Sequence, residues 1–290
     1  MHWQTSRFQI DLTCPKVMGI VNVTPDSFSD GGHHQSTQAA LKYCERLILE
    51  NADILDIGGE SSRPGAQPLD IHEELARVVP VVRSAVTLGV PISVDTCKPQ
   101  VMQAVLDLGA DIINDIRALR SLDTASGISA AQVVAHHGQC GVCLMHMHKD
   151  PQTMQTQPMQ GDVVSQVLSF LECAALDLQG LGVKKTRIVL DPGIGFGKTV
   201  EQNFALLSRQ SELLHAGYPL LVGWSRKSSL AGMTAGDPLA AHERLAPSLA
   251  AAVLSIERGA HIVRVHDVKE TVQALRVMDR AKISLHKGSI

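Results

Sequence analysis

The sequence predicts an α/β fold, a single (β/α)8 barrel of parallel strands with its working groups at the C-terminal ends of the strands. Three observations carry this expectation. Eight short runs rich in Val, Ile and Leu recur, at residues 17–23, 54–58, 91–95, 111–115, 141–147, 187–191, 219–223 and 261–266. Strands buried on both faces have that composition. Between the runs lie longer segments with apolar residues at helical spacing, and such alternation gives parallel strands joined by crossover helices. The chain has 290 residues, and about 250 suffice for eight such units in a closed barrel. A doubly wound open sheet is the alternative that the pattern alone leaves standing. No linker, low-complexity tract or charge block divides the chain, so it reads as one domain over 1–290 with its core over about 15–280.

The elements follow in order. The first run leads into a segment, 24–34, rich in Gly, Ser and Asp, then into a helix over 37–50 with Leu41, Cys44 and Ile48 on one face. The second leads into another such segment, 60–69. Both segments directly follow a strand and are the expected mobile loops. After the third run, a helix over 99–108 sets Val101, Val105 and Leu108 on one stripe, with Pro99 at its start and Gly109 just past its end. Cys140 and Cys143 form a C-x-x-C without a second pair at zinc spacing, and read as buried strand cysteines. His146 and His148, flanked by methionines, read as a strand end rather than a metal pair. The apolar segment 245–256 is a helix that either packs on the barrel or forms a subunit interface. The last helix, 268–280, repeats the stripe with Val268, Val272 and Leu275.

Composition excludes several classes. Aromatics are 3% of the chain and the net charge is −3, which argues against base-stacking platforms and a broad nucleic-acid footprint. No apolar run approaches a membrane span, and residues 1–16 lack the apolar stretch of a signal peptide. Six scattered cysteines suit a reducing cytoplasm better than a disulfide scaffold. Glycine-rich 193–197 does not have the spacing of a dinucleotide fingerprint, and Pro192 stands where a phosphate-binding P-loop needs glycine.

Polar groups close the runs. Asn22, Asp56, Asp95, Asn114, His146, Asp191, the 225–228 patch, Arg264 and His266 fall at successive strand ends. Alternation puts Asn22 on the face of Ile20, Asp95 on that of Ser93, and Arg264 with His266. Planar carboxylates and amides at Asp95, Asn114 and Asp191 suit two-point pairing with a flat heterocycle bearing several N–H groups and a carbonyl. Arg63, Lys227, Arg264 and His266 gather positive charge at one mouth, and Asn22 offers a carbonyl oxygen to a hard cation. Together they suit a polyphosphate carrying Mg2+.

These residues resemble a known family. The segments Gly19-Ile-Val-Asn22-Val-Thr-Pro-Asp26-Ser-Phe28-Ser-Asp30-Gly-Gly32 and Asp56-Ile-Gly-Gly-Glu60-Ser-Ser62-Arg63-Pro64-Gly65 look like the two signatures of dihydropteroate synthases. Ser93-Val-Asp95-Thr, Ile113-Asn114-Asp115, Leu144-Met145-His146-Met147, Asp191-Pro-Gly-Ile-Gly-Phe196-Gly-Lys198, Gly223-Trp-Ser-Arg-Lys227-Ser228 and Arg264-Val-His266-Asp267-Val follow in the family's order, so that the resemblance spans about residues 8–280. It implies a (β/α)8 barrel transferase of folate biosynthesis. The enzyme would join 6-hydroxymethyl-7,8-dihydropterin diphosphate to 4-aminobenzoate with Mg2+, be inhibited by sulfonamides, and form a cytoplasmic homodimer.

The resemblance also implies roles. Asp95, Asn114, Asp191 and Lys227 would hold the pterin, with Met145 packing on it and Arg264 stacking over it. Asn22 would ligate Mg2+. Arg264 and His266 would grip the diphosphate, with Asp26 and Arg63 contributing from the loops. Ser62, Pro64, Phe196, Lys227 and Ser228 would shape the aminobenzoate pocket, while Asp56 would support the site. Asp95, Lys227, Arg264 and His266 are the expected catalytic set. Ser62 stands where the family commonly has Thr, which keeps the hydroxyl and removes a methyl. Two alternatives share the barrel: a pterin-binding methyltransferase-type module, and a non-catalytic pterin-binding paralogue. The first leaves the two loops and the Arg264/His266 pair unexplained. The second would be expected to lose loop or cationic residues, and none is lost.

Overall fold

A computed structural model describes residues 1–24, 32–61, 66–149, 154, 156, 158–234 and 236–287. Eight parallel strands form one sheet: β3 (Lys16–Asn22), β4 (Ile54–Gly58), β5 (Ile92–Asp95), β6 (Ile112–Asp115), β7 (Gly141–Met145), β8 (Ile188–Asp191), β9 (Leu221–Val222) and β10 (Ile262–Val265). Their order is β8-β7-β6-β5-β4-β3-β10-β9. The two ends meet: Leu190 and Leu220 form a parallel bridge, and the Leu190 N–H donates to Pro219 O at 3.0 Å. The expected barrel is therefore closed, with its eight strands in chain order around the ring. The seventh strand is only two residues long, shorter than the 219–223 run, because Pro219 has no N–H to give to a ladder.

Helices cover the outside: α1 (Gly32–Leu49), α2 (Ile71–Ala85), α3 (Pro99–Asp107), α4 (Ala130–His137), α5 (Val163–Gly180), α6 (Val200–Ser208), α7 (Gln210–Leu213), α8 (Leu245–Glu257) and α9 (Val268–Lys287). Local chemistry sets their ends. The Asp70 carboxylate accepts the His72 N–H at 2.8 Å at the start of α2. Ser129 with Gln132, and Thr199 with Gln202, form reciprocal capping boxes on α4 and α6. Buried stripes such as Val78, Val81, Val82 and Ala85 on α2 face the outward side chains of the strands.

Inside the ring the alternation sorts residues into layers. Met18, Ile54, Ile112, Cys143, Val189, Leu221 and Ile262 form an apolar floor, each from a different strand. A hairpin of β1 (His2–Gln4) and β2 (Gln9–Asp11), absent from the expected elements, closes the floor from below. Its Trp3 is fully buried, packs in the same cluster, and donates its indole N–H to Arg187 O at 2.9 Å. Asp111 latches the hairpin through a two-point pair with the Arg7 guanidinium, at 2.9 and 2.5 Å. With the N-terminal end blocked, the polar layer above the floor faces the other mouth. Among the described residues no helix is long and apolar enough to cross a membrane.

Candidate active site at the C-terminal mouth of the barrel

Above the floor lies a connected polar layer. Asp56 on β4 is fully buried, and its Oδ2 accepts Arg264 Nε at 2.6 Å and Asn114 Nδ2 at 3.1 Å. Arg264 Nη2 donates to Asp95 Oδ2 at 2.8 Å. One guanidinium thus links carboxylates of β4 and β5 from β10, across the barrel interior. Asp56 Oδ1 is buried without a partner among the described residues, so one acceptor of the supporting carboxylate stays unsatisfied.

Burial sets the charges here. It pushes the Asp95 carboxyl up to about 7, against the pull of Arg264. It raises Asp191 to about 6, although the Gly193 N–H donates to that carboxylate at 2.7 Å. Desolvation, with Arg264 nearby, lowers Lys227 to about 8. His266 corrects the expected cationic group: burial, and then Arg226, hold it down to about 3, so the ring is neutral. Ser225 Oγ accepts the His266 backbone N–H at 3.1 Å and lies 3.0 Å from His266 Nδ1. With the Ser225 hydroxyl donating to Nδ1, the neutral ring carries its N–H on Nε2, a donor that needs no net charge.

The remaining wall comes from the loops after β7, β8 and β9. Met145, Met147, Met154 and Phe196 form one apolar cluster. Lys227 Nζ lies 4.1 Å from the Phe196 ring centroid, and Ser228 is exposed beside it. Gly193, at φ 67°, passes so close to His146 O that any side chain would collide with that backbone. Lys198 is buried beneath this turn, where it donates to Gly193 O at 2.9 Å and Phe196 O at 3.2 Å and contacts His146 Nδ1 at 2.9 Å. His146, the residue after β7, is lowered to about 2 by burial and then by Lys198. Cys140 and Cys143 are buried on opposite faces of the β7 run, and burial raises both thiols.

The structure brings together Asp95, Asn114, Met145, Asp191, Phe196, Lys227, Arg264 and His266, with Asn22 half-buried at the end of β3. Asp26, Ser62, Arg63 and Pro64 lie outside the described residues. Among the described residues no three His, Cys, Asp or Glu side chains group as a metal cage. A single amide oxygen at Asn22 fits a Mg2+ ion that takes its other ligands from phosphate and water. Sequence reasoning gave no part to Lys198, Asp115 or Asn203. Asp115 accepts the Arg117 and Leu119 N–H groups at 2.8 and 2.7 Å and so holds a turn in which Ala118 and Leu119 both have positive φ. The only sequence signal for Asn203 is an amide within the otherwise apolar stripe of α6, beside Leu206 and Leu207.

Comparison with known proteins places the chain in one family along nearly its whole length. The family described as pterin binding enzyme matches residues 18–266. A dihydropteroate synthase of Neisseria meningitidis serogroup B is 48% identical over 288 residues, 98% of each chain. The crystal structure of Burkholderia cenocepacia dihydropteroate synthase complexed with 7,8-dihydropteroate has a TM-score of 0.86 at 45% identity, and the match covers 99% of this chain and 98% of that one. The Yersinia pestis enzyme in a sulfonamide drug complex has a TM-score of 0.88 at 42% identity, covering 97% and 99%. With such identity along nearly the whole of both sequences, the chain belongs to the dihydropteroate synthase family.

Proposed function

We propose that this chain joins 6-hydroxymethyl-7,8-dihydropterin diphosphate to 4-aminobenzoate, releasing diphosphate and 7,8-dihydropteroate. The observation that carries the reading is the convergence of Asp95, Asn114, Asp191, Lys227 and Arg264 at one mouth of a barrel whose other end is plugged. Carboxylates and an amide in a dry layer match the N–H edge and carbonyl of a pterin. A pterin diphosphate that enters this mouth must point its diphosphate outward, toward the end of β10 and the 225–228 loop.

An arylamine is a weak nucleophile, so the barrier falls mainly at the electrophile. The C–O bond breaks and its electron pair leaves with the diphosphate. The methylene carbon is left cationic, and the dihydropterin ring spreads that charge. Asp95 faces it: a carboxyl poised near 7 is drawn to its ionised form when positive charge develops beside it. His266 Nε2–H and the Arg264 guanidinium donate to the departing oxygens. The amine nitrogen then bonds to the carbon, and its surplus proton leaves with diphosphate or water. Phe196, Lys227 and Ser228 form the side from which the aminobenzoate approaches, with Lys227 available to its carboxylate; Ser62 and Pro64 complete that pocket on this reading, and Asp26 and Arg63 assist at the diphosphate. Mg2+ held by Asn22 and the diphosphate would supply charge neutralisation on the leaving group. Sulfonamides compete for the aminobenzoate side.

The assembly is a homodimer on this reading, with the exposed Leu245 and Leu254 of α8 at the contact, and it works in the cytoplasm, where six unpaired cysteines stay reduced. Diphosphate release tests the reaction. It should require both substrates together, and Asp95→Ala should abolish it. No diphosphate release with both substrates present would overturn the assignment.

A further inference from the structure

We infer that Asn203 is a positioning residue that locks the two loops of the aminobenzoate side to each other through Ser229. The inference rests on the reading of Phe196, Lys227 and Ser228 as that side of the pocket.

Asn203 sits one turn into α6 and is 1% exposed. Its Oδ1 accepts the Gly195 N–H at 2.8 Å. A backbone N–H can only donate, so this bond also fixes which end of the amide is oxygen. Its Nδ2 donates to Ser229 Oγ at 2.9 Å and to Thr199 O at 2.8 Å. The Thr199 bond is ordinary helical back-bonding. The other two leave the helix in different directions, one to the loop after β8 and one to the loop after β9.

Both loops carry pocket groups immediately beside the bonded residue. Gly195 precedes Phe196, and Ser229 follows Lys227 and Ser228. Where the loops touch, the fit is close: a Cβ placed on Gly195 would come within 3.3 Å of Lys227 Cδ. Across that contact lies the 4.1 Å approach of Lys227 Nζ to the Phe196 ring. Ser229 lies in a tight turn in which Leu230 N donates to Lys227 O at 3.0 Å and Ala231 N to Ser228 O at 2.9 Å. Anchoring Ser229 inward leaves Ser228 facing out and sends Lys227 back over Phe196.

Helix α6 is a firm base for this link, capped at Thr199 and packed through Leu206 and Leu207. Each loop has its own support, Lys198 beneath Gly193 and Phe196 and Ser248 beside Arg226, and Asn203 is what joins one loop to the other. Loss of the bridge would let Phe196 and Lys227 drift relative to each other, and displacements well under 1 Å suffice to weaken a pre-organised pocket. The pterin groups Asp95, Asn114 and Arg264 stand on strands β5, β6 and β10 and do not depend on it.

The test is steady-state kinetics on the full chain with Ser229→Ala, Asn203→Ala and the double variant. Ser229→Ala removes one bond and leaves Asn203 Nδ2 bonded to Thr199 O, so it should fold whatever Asn203→Ala does. We expect its KM for 4-aminobenzoate, and the inhibition constant of a sulfonamide, to rise on the order of three- to tenfold, as loss of one net hydrogen bond predicts. The KM for the pterin diphosphate should rise less than that for 4-aminobenzoate, because of the proposed pterin groups only Lys227 rides on these loops. Asn203→Ala should shift the same constants further, and the double variant should be no worse than Asn203→Ala alone. An unchanged 4-aminobenzoate KM, an equal rise in both KM values, or strictly additive effects would each overturn the inference. A wild-type chain with no turnover would instead overturn the proposed reaction.

Discussion

Asp191 is both a proposed pterin ligand and a cost to the fold. Burial raises its carboxyl from 3.8 to about 6. Between those values the folded chain keeps a proton that the unfolded chain releases, so stability falls as pH rises through this window and stays lower above it. Two units correspond to about 3 kcal/mol at most. Asp191→Asn keeps the acceptor for the Gly193 N–H and removes the charge. We expect the variant to be more stable than the wild type by about 1–3 kcal/mol at pH 8, seen as a Tm gain of several degrees. The gain should fade as the pH drops toward 4, while turnover is lost at every pH. Thermal melts from pH 4 to 8 check this, and a gain independent of pH would trace it to something other than ionisation. His266 marks where the sequence misleads at this scale. A histidine beside Arg264 reads as one more cation, but neighbouring guanidinium groups and burial keep it neutral. What it offers the mouth is a neutral ring held against Ser225.

Among the elements, the eight strands and their intervening helices were legible because both faces of a barrel strand are buried. An apolar run ending in a polar residue is then an unambiguous pattern, and Asp95, Asn114 and Asp191 fell on it. The N-terminal hairpin was not legible. Its strands have three residues each, below the length at which a period of two is visible, and it exists because it fits the barrel floor. The same holds for Asn203 and Lys198, whose importance lies in which distant loop they reach. The hairpin carries its own prediction. Trp3 fills the floor beneath Met18, Ile112 and Val189, and a Cβ at Gly141 would meet Trp3 Nε1 at 3.0 Å. Trp3→Ala should cost about 3–5 kcal/mol, lower Tm by several degrees, and leave both KM values near wild type well below the melt. The floor layer lies between Trp3 and the mouth. A change in KM at constant stability would show that the hairpin communicates with the site.

At the scale of the molecule, the net charge is −3, and Lys227 and Arg264 sit among the carboxylates of Asp56, Asp95 and Asp191 at the mouth. Helix α8 is one of the places where the outside of the ring exposes apolar side chains. There Leu245 and Leu254 are each 37% exposed, and Ala246 and Ala250 are exposed between them. Stable dimers bury roughly 1,200–2,000 Å2 in total, more than one helix face supplies, so a contact centred on α8 must extend over the adjoining α9, whose Val277 is 71% exposed. In a two-fold contact each residue of the patch meets the same patch on the other copy, and a single new charge is introduced twice. Ala250→Glu should therefore convert the proposed dimer to monomer in light scattering. It touches no strand and no mouth residue, so turnover per chain should remain near wild type. A variant that stays dimeric would move the interface away from α8. A monomer without activity would mean that the second copy supports the site, since each mouth is built from a single barrel.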